Sequence, residues 1–345
     1  MRRIKVLFCM AIICLLLAGC ARGGEDDYDR GMAAMEADDY DTAISYFEKM
    51  TDRGARKAES YRGLGIAYYK TGDYASAMTM LSRSLETMES ENDAFTIDVL
   101  YFLGAASDEY GELNRALEAY TQLLEYSHTA DAYYRRGHVY LEQGDADRAS
   151  ADFEKAVSLD GRYSLYMDIY RDCVEYDQNS TGESFLEKAL QTQPKQTEDY
   201  YYQGWFSYYL GYYDQAQKLL VEAVNADDDP SRLLLGKVYL AMEDTASARS
   251  LYQDYLNRHL DSASAYNGLV LCDMADGDYD AALSNTEKGL AFAADEDRQS
   301  LMFNRIVIYE NKRDFEMARS QMEEYLKEYP TDEEAKREYQ FLQSR

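Results

Sequence analysis

The stretch that decides the fold is LGIAYYKTGDYASAMTML, which runs from Leu64 to Leu81. Its glycines Gly65 and Gly72 are seven residues apart, and Ala77 follows five residues later. The same spacing recurs in LGAASDEYGELNRALEAY (103–120), RGHVYLEQGDADRASADF (136–153) and QGWFSYYLGYYDQAQKLL (203–220). A phrase that returns at a period of roughly 34 residues indicates an array of short repeats rather than separate globular domains.

Small residues at fixed places in each repeat allow two helices to approach closely, because a larger side chain would overpack their crossing. Apolar residues at helical spacing then fill the space between neighbouring helices. One helix pair cannot bury its apolar face alone, so successive copies must stack. The pattern therefore predicts an all-α fold.

This spacing resembles the tetratricopeptide repeat, a 34-residue helix-turn-helix with a small residue at position 8, Gly at 15, Ala at 20 and a bulky residue at 24. The resemblance implies a right-handed superhelical solenoid over residues 28–331, capped by a polar helix at 332–345. We expect about nine repeats, which begin near Gly24, Ala58, Ile97, Ala130, Tyr163, Thr197, Asp229, Ala263 and Gln299.

Val270 and Ile306 depart from the repeat pattern at position 8 of the last two repeats, and two further places also differ. In the fifth repeat, Tyr170 occupies position 8, where a small residue is expected, and Gly182 occupies position 20, where the other repeats have Ala. The residues Met88–Phe95 lengthen one connection between repeats and are predicted to form a bend or hinge. We expect the array to continue through both.

The N-terminus has the pattern of an export signal over residues 1–19. Arg2, Arg3 and Lys5 precede an apolar run that is too short to span a bilayer comfortably. Its end, Leu17 to Cys20, resembles the lipobox of bacterial lipoproteins. The resemblance implies a lipid on the Cys20 thiol, a short linker at 20–27, and a location on the extracytoplasmic face of a cell-envelope membrane. An ordinary secretory signal that happens to contain Cys is the alternative.

The charge of the chain limits its partners. It carries 64 acidic and 36 basic residues, a formal net charge of −28. Nucleic-acid binding needs clustered Lys and Arg, so this class of ligand is not expected. Cys173 and Cys272 are far apart and belong to no CxxC motif, which predicts two buried, unpaired thiols.

No motif predicts catalysis, a cofactor or a metal site. The stretch DGDYDAALSNTE (276–287) has the acidic spacing of a calcium-binding loop, but Ala281 stands where that loop needs Gly. The repeat register also places residues 281–287 inside a helix, which cannot wrap a cation. We therefore predict neither an enzyme nor a metalloprotein.

The repeat register selects candidate binding residues. Tyr201, Trp205, Tyr208 and Tyr209 fall at positions 5, 9, 12 and 13 of the sixth repeat, on the helix face that lines the concave groove in this family. Tyr213, at position 17, is predicted to pack in the core. The groove positions of other repeats are occupied by Tyr101, Tyr134, His138, Glu142, Arg171 and Glu175.

This aromatic and acidic groove is predicted to bind a protein or peptide, basic or containing proline or aromatic residues. Two alternatives stay open. The rings could only pack between helices, or they could stack on an oligosaccharide or another small solute.

Overall fold

The structure is a computed structural model that describes residues 27–89 and 92–345. Within these ranges it contains helices and no strand, which confirms the all-α prediction. The predicted signal segment 1–19, Cys20 and the linker up to residue 26 lie outside the described residues. None of the described helices is long and apolar enough to cross a membrane.

The described residues form nine successive helix pairs followed by α19 (Glu333–Leu342), the predicted capping helix. The first helices of the pairs are α1 (Asp27–Glu36), α3 (Lys57–Thr71), α5 (Asp93–Glu109), α7 (Ala130–Glu142), α9 (Tyr163–Glu175), α11 (Thr197–Tyr209), α13 (Asp229–Ala241), α15 (Ala263–Ala275) and α17 (Asp295–Asn311). The second helices are α2 (Tyr40–Asp52), α4 (Tyr74–Glu86), α6 (Leu113–Tyr126), α8 (Ala146–Leu159), α10 (Asn179–Ala189), α12 (Tyr213–Asn225), α14 (Thr245–Arg258), α16 (Tyr279–Leu290) and α18 (Phe315–Glu328).

The chain divides into two compact units. The first unit ends at His128 and contains α1 to α6, and the second unit, Thr129–Arg345, contains α7 to α19. The expectation of a single continuous array over residues 28–331 stays a prediction.

The turn inside each pair depends on one backbone conformation. The residue at position 15 has a positive φ in all nine described pairs. Five of these residues are glycines with φ between 75° and 83°, a region that costs glycine little and other residues more. Asp38, Asp177, Glu243 and Arg313 occupy the position in the other four pairs. An aspartate often follows and caps the second helix; Asp73, for example, accepts a hydrogen bond from the backbone N–H of Ser76 at 3.1 Å.

The small residues of the pattern lie at the helix crossings, as predicted. The alanines at position 20 are fully buried in eight of the nine pairs. Glycine at position 8 faces the bulky residue at position 24 of its own pair. A Cβ atom on Gly204 would lie 2.5 Å from Cγ of Leu220, so only glycine permits this distance between the helices.

Cys173 and Cys272, the cysteines within the described residues, are free and buried, which confirms the sequence prediction. Burial raises the pKa of Cys173 to about 12 and that of Cys272 to about 11. Both thiols are therefore protonated at neutral pH and poor nucleophiles.

Two first helices begin earlier than the repeat pattern predicts. Helix α5 begins at Asp93 rather than near Ile97, because the side chain of Asn92 accepts a hydrogen bond from the backbone N–H of Phe95 at 3.2 Å. Residues 93–95, predicted as part of a hinge, therefore form the first turn of α5. Helix α17 likewise begins at Asp295 rather than near Gln299.

The rejection of a calcium loop at 276–287 agrees with the helix boundaries. Asp278 caps α16 by accepting from the backbone N–H of Ala281, so residues 281–287 are helical as predicted. The carboxylate of Asp276 instead accepts hydrogen bonds from Arg249 and Thr245.

Candidate functional site

Most of the predicted groove residues lie on α7, α9 and α11 of the second unit. Tyr134 and His138 of α7 meet the carboxylate of Asp172 on α9: Nδ1 of His138 lies 3.0 Å from Oδ2 of Asp172. Burial raises the pKa of Tyr134, and the charge and hydrogen bond of Asp172 raise it further. Asp172, which the repeat register did not select, is thus the residue that joins these two side chains.

Ring contacts join α9 to α11. The ring of Tyr170 packs edge-on against Trp205 at 5.6 Å and against Tyr209 at 5.5 Å between centroids. Arg171 is exposed beside Tyr201: burial raises the pKa of Tyr201, and the guanidinium opposes part of that rise. Side-chain contacts therefore link α7 to α9 and α9 to α11.

Trp205 is not the exposed groove residue that the sequence predicted. Its side chain is buried, with a relative exposure of 8%. Tyr209 covers it at a centroid distance of 4.0 Å, and Tyr170 and Phe206 close its edges. Trp205 therefore supports the neighbouring rings from beneath and is not itself a contact surface.

The exception in the fifth repeat causes this burial. Gly182 leaves room at position 20, and Tyr170 fills it from position 8. A Cβ atom on Gly182 would lie 2.9 Å from Cβ of Cys173 and 3.1 Å from Cδ2 of Tyr170. In this pair a large residue occupies position 8 and glycine replaces the usual alanine at position 20. The Tyr170 ring also reaches α11, where it covers the edge of Trp205.

Exposed rings cluster where α11 ends and α12 begins. Tyr209 is 46% exposed, Tyr212 45% and Tyr213 36%. Tyr208 is half-buried and contacts both Tyr209 at 5.4 Å and Tyr213 at 5.9 Å. The sequence prediction that Tyr213 packs in the core is wrong, because its ring lies at the rim of this turn. We call Tyr170, Tyr208, Tyr209, Tyr212 and Tyr213 the tyrosine patch.

Two carboxylates of α10 adjoin the tyrosine patch. The hydroxyl of Tyr212 donates a hydrogen bond to Oε1 of Glu187 at 3.2 Å. Burial raises the pKa of Tyr170, and the hydrogen bond to Glu187 raises the pKa of Tyr212; the charge of Glu183, one turn earlier, adds to both rises. Glu183 and Glu187 were missed because only residues on first helices were selected from the sequence. The pair Tyr212-Tyr213 was a usable signal: only Tyr213 occupies a packing position, position 17, so Tyr212 had no predicted place in the core.

The remaining predicted residues lie apart from this patch. Tyr101 is half-buried on α5 of the first unit and packs edge-on against Phe102 at 5.4 Å. Glu142 ends α7, and Glu175 is exposed at the end of α9. The role of each of them in binding stays a prediction.

Superkiller protein 3 of Schizosaccharomyces pombe is 23% identical over 137 residues, which are 37% of this chain and 10% of that protein. The chain thus matches about a tenth of that relative's length.

Three solved structures illustrate the structural similarity. The match to yeast Tom70 has 13% sequence identity, covers 87% of this chain and 84% of the Tom70 chain, and has a TM-score of 0.45. A tetratricopeptide repeat protein from Parabacteroides merdae is 16% identical over 72% of this chain and 100% of its own, with a TM-score of 0.47. YrrB, described as having an unusual peptide-binding site, is 19% identical over 50% of this chain and 88% of its own, with a TM-score of 0.41.

Family models of the tetratricopeptide repeat match three stretches of the sequence. One model matches residues 28–88 and 233–297, and a second matches residues 130–163. Each stretch contains helix pairs with the packing described above. The chain therefore carries tetratricopeptide repeats in both of its compact units.

Proposed function

We propose that this protein is an interaction scaffold that binds a basic segment of another protein on the first helices of its second unit. The binding surface, which we call the first-helix face, consists of Tyr134, His138, Arg171, Glu175, Tyr201 and Tyr208. The observation that carries the proposal is that these accessible rings and charged groups come from three successive first helices, which the His138–Asp172 and Tyr170–Tyr209 contacts join. Tetratricopeptide repeats suggest an interaction role for such a surface.

Tyrosine is well suited to this role. Its ring offers a large, stiff apolar area, and its hydroxyl can bond to a partner or to water. Tyr201 and Tyr208 are half-buried, so their rings are held by the protein while one side stays accessible. Less conformational freedom is then lost when a partner binds.

The net charge of −28 supports a basic partner. A negative potential steers a cationic segment toward the surface and repels nucleic acids. Binding of such a segment should weaken as the salt concentration rises, because screening shortens the reach of the exposed charges. A neutral oligosaccharide, the competing ligand class, would bind with little dependence on salt.

We also propose that the scaffold is held at an envelope membrane by lipid on Cys20, as the lipobox-like sequence suggests. A single acyl chain gives only weak, reversible attachment, and several chains give stable anchoring. Cys20→Ser should move the protein from the membrane fraction to the soluble fraction after cell lysis. Unchanged fractionation would contradict the anchor and leave the scaffold proposal untouched.

The binding proposal is tested with Cys20→Ser protein immobilised on beads and exposed to a bacterial envelope extract at low and high salt. Tyr201→Ala combined with Glu175→Gln should reduce capture of the salt-sensitive partners by about tenfold, from two contacts of about 0.7 kcal/mol each. Tyr110→Ala is the matched control, because Tyr110 is 54% exposed on the first unit.

Equal capture by the folded double variant and by wild type would refute the first-helix face as the binding surface. Capture that does not change between low and high salt would instead favour a neutral ligand.

A further inference from the structure

We infer that the tyrosine patch is a docking point for an arginine side chain carried by the partner segment. This inference rests on the proposed scaffold function. Tyr208 belongs to both surfaces, but Tyr212 at the α11–α12 turn and the acidic residues of α10 lie outside the first-helix face. Its evidence is the exposure of the rings, their rigidity and the unpaired carboxylates beside them.

The patch exposes more aromatic surface than folding alone requires. Tyr209, Tyr212 and Tyr213 stand within five residues of one another, and each leaves more than a third of its surface in water. Contiguous exposed aromatic surface of this kind is characteristic of binding sites. Tyrosine is also among the residues that contribute most to binding energy at protein interfaces.

The exposed rings are held in place from below. Tyr209 packs against the buried Trp205 at a centroid distance of 4.0 Å, with the ring planes tilted by 38°, and meets Tyr170 at 5.5 Å. Tyr208 links Tyr209 to Tyr213. A ligand would therefore meet a preformed surface and would have to immobilise few side chains.

The charge beside the rings is negative and uncompensated. Glu183 and Glu187 are four residues apart on α10, so both carboxylates lie on one face of that helix. Within the described residues, no Lys, Arg or His lies within ion-pair distance of either, whereas Glu154 is paired with Lys188 nearby. The hydrogen bond from Tyr212 uses Oε1 of Glu187 and leaves Oε2 available to a cation.

Arginine fits this combination better than other cations. Its planar guanidinium stacks on an aromatic ring while its edge donates to a carboxylate, which the compact lysine ammonium cannot do as well. The protein makes this arrangement within the fourth repeat: Cζ of Arg148 lies 4.4 Å from the ring centre of Tyr140, and Nε of Arg148 donates to Asp145 at 2.6 Å. At the tyrosine patch, the tyrosine and carboxylate are present without an internal arginine.

Trp205, the single tryptophan of the chain, is a built-in reporter for this site. The test titrates full-length protein in neutral detergent with the acetylated, amidated pentapeptide GRGRG and follows Trp205 emission. GKGKG and GEGEG peptides and cellopentaose are titrated in parallel. The variants are Tyr212→Ala and Glu187→Gln, and the matched controls are Tyr110→Ala and Glu222→Gln, which alter exposed residues elsewhere.

We expect saturable binding of GRGRG that weakens with salt, binding of GKGKG that is about two- to fivefold weaker, and none of GEGEG. Tyr212→Ala and Glu187→Gln should each weaken binding of GRGRG by about two- to fivefold, and the controls should not. Neither variant alters a ring in contact with Trp205, so the reporter stays intact.

Other results would overturn the inference in distinguishable ways. If Glu175→Gln or Tyr201→Ala weakens GRGRG binding and the patch variants do not, arginine binds at the first-helix face, and only the docking point is wrong. If GRGRG produces no saturable change, or GKGKG binds equally well, the patch does not recognise arginine. Saturation by cellopentaose would show a sugar site. If the patch binds GRGRG as expected while the first-helix variants capture envelope proteins as well as wild type does, the proposed function is refuted and the inference about the patch still holds.

Discussion

Replacing Gly182 with alanine tests the physical reason for the arrangement around Trp205. Gly182 allows the Tyr170 ring to sit between α9 and α10, and that ring covers one edge of Trp205. The added methyl group would lie 2.9 Å from Cβ of Cys173 and 3.1 Å from Cδ2 of Tyr170. The first of these atoms is attached directly to the α9 backbone and cannot rotate away.

Two opposing effects set the magnitude. Overpacking a buried helix crossing costs about 1–3 kcal/mol. Alanine is favoured over glycine within a helix by up to about 1 kcal/mol, which offsets part of that cost. We therefore expect Gly182→Ala to lower the free energy of unfolding by about 1–2 kcal/mol. Displacement of Tyr170 should also expose the indole of Trp205 and shift its emission to longer wavelength.

The assay is urea unfolding followed by both circular dichroism and Trp205 emission. Gly161→Ala is the matched control, because the only atom within 4 Å of its added Cβ would be the carbonyl oxygen of Val157 at 4.0 Å. That control should be neutral or more stable by up to about 1 kcal/mol, since alanine restricts the unfolded chain. If Gly182→Ala behaves like Gly161→Ala and leaves the emission of Trp205 unchanged, the proposed cause of the tryptophan burial is refuted.

Three further predictions concern the second unit. Gly268→Ala should lower the free energy of unfolding in urea by about 1–3 kcal/mol, because the added Cβ would lie 2.4 Å from Cζ of the buried Tyr252 ring. Unchanged stability would show that this ring can move. Glu243 has a φ of 61°, which is strained for a residue with a side chain. Glu243→Gly should therefore stabilise the fold by about 1 kcal/mol, and a less stable variant would contradict the strain argument. Burial and the neighbouring Glu338 raise the pKa of Glu310 to about 7 from 4.5, so the folded state binds its proton more tightly than the unfolded state. This group contributes stability below pH 4.5 that is lost as the pH rises through about 7. Glu310→Gln should flatten the decline in the free energy of unfolding between pH 5 and pH 8. An identical decline in the variant would rule out Glu310 as its source.

The helix pairs could be predicted from sequence because the features that form them are local. Spacing alone located five first helices at their observed starts, from Ala130 to Ala263. It also identified the alanines that are fully buried and the turn glycines that need a positive φ. Each of these features depends on contacts within one repeat. The early start of α5 was missed because it depends on Asn92, a capping residue that lies before the repeat begins.

The binding surface was only partly predictable, because exposure depends on what the neighbouring repeat contributes. Position 9 of the sixth repeat indicated an accessible Trp205, but Tyr170 and Tyr209 cover it. The exposure of Tyr212 and its contact with Glu187 likewise depend on a helix of the preceding repeat. The spacing of small residues thus determined which helices pair, whereas tertiary packing decided which rings face water. The physical reason is that a ring is buried by its neighbours in space, and Tyr170 at a position that usually holds a small residue changes those neighbours without disturbing the repeat.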